Sequence, residues 1–487
     1  MDTWQLISLA SVAFLMWLYW LERNKRVQAT SDLDQAVHEM ALRSDLDERT
    51  GLLTSEAFEK ALEEAAQRVD QAGGSCTVLA ITLDNIGLIQ DGFGDEFRSQ
   101  VIRMAAQRLV ASAHAGAKLG KISSAEFAVL VSGGVNIGIL LAERIKTELA
   151  LPFEAGGNLS HSTGSIGIAV YPEHGARTKI LGCAALAMRS LKNSGGADYC
   201  VYDPKMAAMA RDEAVLVNDL RQAAEAGQFE LYFQPKIDAQ SLQVTAAEAL
   251  LRWHHPTRGF VSPSIFIPLA EKYGLMGTIG PWVIEEACRT AGQWLQVGLR
   301  MRVAVNISGY QMRQDDLVES IELVLQRHGV QPERFTCEIT ETVAMEDTQA
   351  TKLTFEKMRQ AGFHVSIDDF GTGYSSLGSL RKIPAAELKI DRAFVSDLEE
   401  SDEARSIAKS IIDMARALNM KVIAEGVETV GQSDLLVAMG CDEMQGFLFS
   451  MPITATELQH LAMLRHKDDS SGFRNSLFAT DFANTIG

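Results

Sequence analysis

At 487 residues the chain exceeds what one hydrophobic core ordinarily organises, so two large domains with additional segments are expected. Hydrophobic residues make up 47% and the formal net charge is -18, which fits a globular chain and argues against a protein that coats a nucleic-acid polymer, because no basic stripe is available to displace counterions from phosphates. A small anionic substrate would need local cations or bound metal.

The chain opens on a run without charge, Leu6 to Trp20. With Trp4 and Leu21 added, a helix over residues 4–21 would span about 27 Å, enough for a hydrocarbon core. Trp4, Trp17, Tyr19 and Trp20 sit near its ends, where amphipathic rings favour the membrane interface. A cleaved signal peptide is the competing reading, but Met1-Asp2-Thr3 supplies no positive start, and Arg23, Lys25 and Arg26 follow the apolar run. A transmembrane anchor with the remaining chain on the cytoplasmic side is therefore expected. Residues 27–45 turn charged, with Leu33, Val37, Met40 and Ala41 at helical spacing, as either a coiled-coil connector or a packed helix. The six cysteines are scattered singly, which predicts small core residues in a reducing compartment rather than a disulfide framework or zinc site.

Residues 46–204 alternate strand-like runs (Cys76–Leu83, Phe127–Val131) with helical ones (Phe97–Ala111, Ile137–Leu149), the pattern of a smaller α/β domain. A linker is expected around Asp203 to Asp212. A second alternating region, residues 213–464, contains seven apolar runs: Leu231–Ile237, Thr245–Trp253, Met301–Ile307, Phe335–Ile339, His364–Asp368, Glu387–Ile390 and Lys421–Ala424. Helical stretches such as Trp282–Leu295 and Ala404–Leu418 separate most of them, which predicts a closed β/α barrel. Residues 465–487 read as a flexible polar tail.

In a β/α barrel the chemistry sits where strands finish. The apolar runs finish on Glu248, Asn306, Glu338 with Glu341, Asp368 with Asp369, Lys389 and Glu425. Carboxylates among Val, Ile and Ala are costly unless paired, protonated or metal-bound. One such residue is ordinarily a cap or salt-bridge partner. Several that converge on one mouth would form an oxygen-only donor set, which selects hard cations such as Mg²⁺ or Mn²⁺ over zinc.

These residues resemble the EAL family of cyclic di-GMP phosphodiesterases, named for the tripeptide Glu248-Ala249-Leu250 and built on a modified β/α (TIM-like) barrel. The likeness runs from Leu231-Tyr232-Phe233-Gln234-Pro235 to Met444-Gln445-Gly446-Phe447. It implies two Mg²⁺ or Mn²⁺ ions held by Glu248, Asn306, Glu338, Asp368 and Asp369, with Glu425 supporting the metal-water network. Lys389 would orient or deprotonate the attacking water, and Gln234, Leu250, Arg252 and Gln445 would hold the substrate. Glu341 would tether the loop from Asp369 to Ser376 and so act on catalysis through Asp369. Hydrolysis of cyclic di-GMP to linear pGpG, a homodimer through this domain and placement at the bacterial inner membrane are the further implications. A non-catalytic cyclic di-GMP receptor is the alternative.

Residues 46–204 resemble the GGDEF family of diguanylate cyclases in Thr50-Gly51-Leu52 and in Ser165-Ile166-Gly167-Ile168-Ala169-Val170-Tyr171-Pro172. The signature loop reads Ser123-Ser124-Ala125-Glu126-Phe127, and serines do not give the backbone access that glycines allow. Thr82 stands at the first metal-binding Asp, with Asp84 two residues on; Gln90 replaces the guanine-contacting Asn, and His114 to Ala117 replaces the inhibitory motif. The likeness thus implies a degenerate domain without cyclase activity, which either binds GTP as an allosteric ligand or serves only to dimerise.

Overall fold

The computed structural model describes residues 45–346, 348–371 and 380–465. The expected anchor (4–21), the connecting helix (27–45, but for Asp45), the loop segment from Thr372 to Ser376 and the tail beyond Arg465 lie outside the described residues. Among the described residues no helix is long and apolar enough to cross a membrane. The chain divides into two compact units at Asp212–Glu213.

The first unit is a five-stranded sheet in the spatial order Lys118–Lys121, Glu126–Ser132, Cys76–Leu83, Gly164–Tyr171, Tyr199–Val201. Its central strand is buried along its whole length. Alternation sends Leu79, Ile81 and Leu83 into one core, with Val101, Leu109 and Ile145, while Val78 and Ala80 enter another with Phe58, Leu62 and Met188. A strand covered on both faces is largely apolar, and with Thr77 and Thr82 as its polar members this one reads as a near-continuous run. Gly167 is required by packing: a Cβ there would lie 2.0 Å from the Ala184 carbonyl oxygen of helix Ile180–Asn193.

The linker expected at Asp203 to Asp212 is instead the first half of a 20-residue helix, Pro204–Ala223. Proline at its first position fits, since the missing N–H has no intrahelical partner there. The segment's mixed charge, read as a linker, is the exposed face of an amphipathic helix whose later residues Leu216, Val217 and Leu220 are buried.

The second unit closes eight strands into a barrel: Phe229–Asp238, Val244–His255, Arg302–Asn306, Phe335–Thr340, His364–Phe370, Glu387–Ile390, Lys421–Ala424 and Glu443–Met444. The first runs antiparallel to both its neighbours, the second and the eighth, and the other pairings are parallel. The sequence displays seven of these strands; the eighth has two residues and no periodicity to find. Helices including Met276–Gln296, Leu317–His328, Gln349–Ala361 and Asp402–Ala417 surround the barrel. All six cysteines are free; Cys76, Cys288, Cys337 and Cys441 are buried as expected of core residues, but Cys183 and Cys200 are only half-buried.

Candidate active site

Strand register sets the site. Glu248 lies opposite Ala304, Asn306 opposite Glu338, and Thr340 opposite Asp368, so these strand ends share one mouth. Between Ile367 and Phe370 the register slips, and Asp369 takes a left-handed backbone (φ 53°). Few side chains adopt that conformation, and a bulge re-aims the residues it contains. Two consecutive residues of a regular strand would face opposite ways, whereas here one carboxylate oxygen each from Asp368, Asp369 and Glu425 lies within 4.8 Å of the others. Oxygens of Glu248, Glu338 and Asp368 form a second group of the same size, so Asp368 belongs to both.

Lys389 stands at the centre. Its Nζ, on a side chain only 1% exposed, lies 2.6 Å from Glu425, 3.0 Å from Asp368, 3.1 Å from Glu338 and 3.4 Å from Glu248. Burial pushes the ammonium's pKa down, but the carboxylates of Asp368, Glu248, Glu338 and Glu425 outweigh it and hold it well above the usual lysine range. Lys389 is thus a charged donor in this structure. Asn306 Nδ2 donates to Glu248 Oε1 at 2.8 Å and Gln445 Nε2 to Glu248 Oε2 at 2.7 Å. Burial raises the Glu248 carboxyl, yet Lys389, Lys236 and these two amides bring it down to about 2.

The other carboxylates go the opposite way. Burial, and then the neighbouring Glu248, push Glu338 up to about 7, while burial raises Glu425 to about 8 despite Lys389. Burial and Asp368 raise Asp369 to about 6. Five carboxylates thus share the mouth with two lysines, Lys389 and Lys236. Hard divalent cations fit such a donor set: it is all oxygen, comes in two groups that share Asp368, and has more carboxylates than lysines. Glu248, Asn306, Glu338, Asp368, Asp369 and Glu425 are the residues that would hold them.

A cavity of about 300 Å³ opens above the cluster, lined by Gln234, Glu248, Leu250, Asn306, Asp368, Lys389, Arg392, Glu425, Glu428, Gln445 and Phe447, among others. Gln234 Nε2 donates to the Ser450 carbonyl at 3.1 Å and its Oε1 accepts from Gln445 at 3.0 Å, while Gln445 Oε1 is buried without a partner among the described residues. Arg252 is the exception among the expected substrate residues, for it does not line the cavity. Its guanidinium donates to the Leu251 carbonyl at 3.0 Å and lies 5.4 Å from the centre of the Tyr232 ring. Clefts of about 510 Å³ beside Met345 and Phe355 and about 650 Å³ beside Leu323 and Pro332 are larger, but neither is lined by any of these strand-end ligands.

Glu341 is 3% exposed, and its Oε2 accepts from the Gly371 N–H at 2.8 Å, two residues past Asp369. Thr372 and Ser375, its other expected partners, lie outside the described residues. Sequence reading missed Arg392 and Glu428, which line the cavity and pair at 2.7 Å. It also missed Lys236, which pairs with Glu338, and the buried pairing of Arg302 with Glu387 and with Glu443. Alternation held the signal for Lys236, since it falls on the same strand face as Gln234.

In the first unit Asp84 is tied up: its Oδ2 accepts from Thr163 Oγ1 at 2.7 Å and the Ala197 N–H at 3.2 Å, and its Oδ1 from Ser165 Oγ at 2.8 Å. Thr82 lies opposite Glu126 across the sheet.

Residues 217–452 match the EAL domain family, and residues 44–198 the family described as diguanylate cyclase, GGDEF domain. The chain belongs to the proteins that carry these two domains in tandem. It is 36% identical over 441 residues to the bifunctional diguanylate cyclase/cyclic di-GMP phosphodiesterase MucR of Pseudomonas aeruginosa, covering 90% of this chain and 64% of that protein. It is 33% identical over 427 residues to the cyclic di-GMP phosphodiesterase PdeR of Escherichia coli, covering 87% of this chain and again 64% of the relative. The chain thus spans less than two thirds of the length of these two proteins. Among solved structures it resembles the EAL enzyme Bd1971 in a cAMP-bound form, at 27% identity and TM-score 0.50, over 70% of this chain and 90% of that one.

Proposed function

We propose that this chain is a phosphodiesterase that hydrolyses cyclic di-GMP to linear pGpG. The observation that carries the reading is the strand-end cluster, in which a buried lysine and five carboxylates meet under a cavity with amide and apolar walls. A phosphodiester resists hydroxide because both are anionic. The chemistry that two Mg²⁺ or Mn²⁺ ions supply in such a donor set is acidification of water and neutralisation of phosphoryl oxygens. Glu248, Asn306, Glu338, Asp368 and Asp369 are assigned to hold them, with Glu425 in support. Lys389, as an ammonium, orients the attacking water and keeps the carboxylates in register. Gln234, Gln445 and Leu250 position the nucleotide, and Arg252, on the strand of Leu250 but outside the cavity wall, must leave the Leu251 carbonyl to meet it.

The first unit is assigned a regulatory or dimerising role, with GTP the ligand to test in it; the second unit is the expected dimer contact. The uncharged run at residues 4–21, followed by Arg23, Lys25 and Arg26, supports a single-pass anchor in the bacterial inner membrane with both domains in the cytoplasm. The test of the activity is incubation of the chain with cyclic di-GMP and Mg²⁺ or Mn²⁺, with chromatography for pGpG. Nucleotide that is bound but returned intact would identify a non-catalytic receptor instead.

The Glu341 hydrogen bond gives a separate expectation. Glu341→Ala releases Gly371 and with it the left-handed turn that aims Asp369. Misplacement of a reacting group by about 1 Å costs roughly 10²-fold, and a loss of that order in hydrolysis is expected, with the fold retained. Raised Mg²⁺ should restore part of it, because mass action refills a weakened site. A wild-type rate and metal dependence would refute the role.

A further inference from the structure

We infer that Lys236 is a positioning residue that fixes the Glu338 carboxylate for a divalent cation. The inference rests on the reading of the strand-end cluster as a metal site and adds a residue to it. Lys236 stands two residues along its strand from Gln234; Gln234 lies opposite Glu248 and Lys236 opposite Ala246, so Lys236 enters the barrel one pleat deeper. Its side chain is 1% exposed and that of Glu338 is fully buried, and Nζ donates to Glu338 Oε1. Glu338 Oε2 accepts from Lys389 at 3.1 Å. The carboxylate is therefore held at both oxygens.

The two lysines are not equivalent. Lys389 is shared among four carboxylates, so it cannot dictate the orientation of any one. Glu338 is the one carboxylate within ion-pair distance of Lys236 among the described residues. Barrel interiors are ordinarily filled with branched apolar side chains, and a buried ion pair is weak evidence for stability, because desolvation can cancel the attraction. A dedicated lysine at this depth is accounted for by what it does to Glu338. Partners that orient metal-binding side chains are typically worth roughly 10- to 100-fold in metal affinity.

Charge and positioning make opposite predictions for Lys236→Met. Removal of a positive charge near a dication site should, by Coulomb's law alone, tighten metal binding. Loss of the clamp should weaken it. Mn²⁺ binding to the full chain, followed by the loss of the free-ion electron paramagnetic resonance signal, separates the two without any turnover. We expect Lys236→Met to weaken Mn²⁺ binding by about 10-fold or more, with the circular dichroism spectrum retained. Unchanged or tighter binding would overturn the inference. Should Lys236→Met not fold, the pair of variants Glu338→Gln and Glu338→Gln/Lys236→Met decides, because it leaves no unpaired buried carboxylate. A lysine that acts through Glu338 predicts that the double variant binds Mn²⁺ at least as tightly as the single one, and further weakening would refute it. A wild-type chain that takes up no Mn²⁺ would instead remove the metal reading of the site, and this inference with it.

Discussion

Lys389→Met is expected to lower turnover of cyclic di-GMP by roughly 10³-fold, within the range by which a positioned proton-transfer or orienting group accelerates reactions. The reason is its place among Glu248, Glu338, Asp368 and Glu425, none of which lies more than 3.4 Å from Nζ. A neutral side chain of similar length leaves those carboxylates to repel one another in a buried mouth. Removing one partner of a buried ion pair costs about 3–5 kcal/mol, so the apo chain should also unfold at lower denaturant. Divalent cations should restore much of that stability, because they supply the missing positive charge. Turnover would not return with them, since no donor is left to orient water. Arginine is not a conservative replacement here: its planar fork is larger than an ammonium and does not match a cage built around one nitrogen. Steady-state rates and denaturation midpoints with and without Mg²⁺ check both halves. A variant within a few-fold of wild type would remove Lys389 from the mechanism.

Glu248→Ala is expected to be as damaging to turnover while sparing nucleotide binding. Glu248 alone accepts from both Asn306 and Gln445, and its carboxyl is held down at about 2, so it is the cluster's most dependable anion. Loss of a charged ligand forfeits several kcal/mol of charge stabilisation at the reacting phosphate, which is about 10³-fold or more in rate. The cavity walls contributed by Gln234, Leu250 and Phe447 do not depend on that carboxylate. Calorimetry with cyclic di-GMP should therefore give a dissociation constant within a few-fold of wild type. Turnover near wild type with metal in excess would contradict the assignment.

The site was legible because its residues break a local rule. Glu248 lies between Ala247 and Ala249, Glu338 between Cys337 and Ile339, and Asp368 directly after Ile367, and a carboxylate in such a buried setting signals a paired or ligated group. Seven strands were readable as apolar runs, and six of them take part in parallel pairs, whose strands are buried on both faces. What stayed hidden depends on register or on contacts far apart in sequence. The bulge that turns Asp369 toward Asp368 leaves no trace in composition. Arg302, Glu387 and Glu443 look like ordinary charges at strand beginnings until the barrel closes and brings them together. Helix Pro204–Ala223 was concealed by its exposed first half, which has the polarity of a linker.

Hydrolysis in ¹⁸O-labelled water tests the central claim most directly. The wild-type chain with cyclic di-GMP and Mg²⁺ or Mn²⁺ should yield pGpG with one ¹⁸O in its terminal phosphate, as attack by water on phosphorus requires, and Lys389→Met should yield none on the same timescale. Intact cyclic di-GMP under conditions where the nucleotide and the metal are both bound, or pGpG without the label, would contradict it.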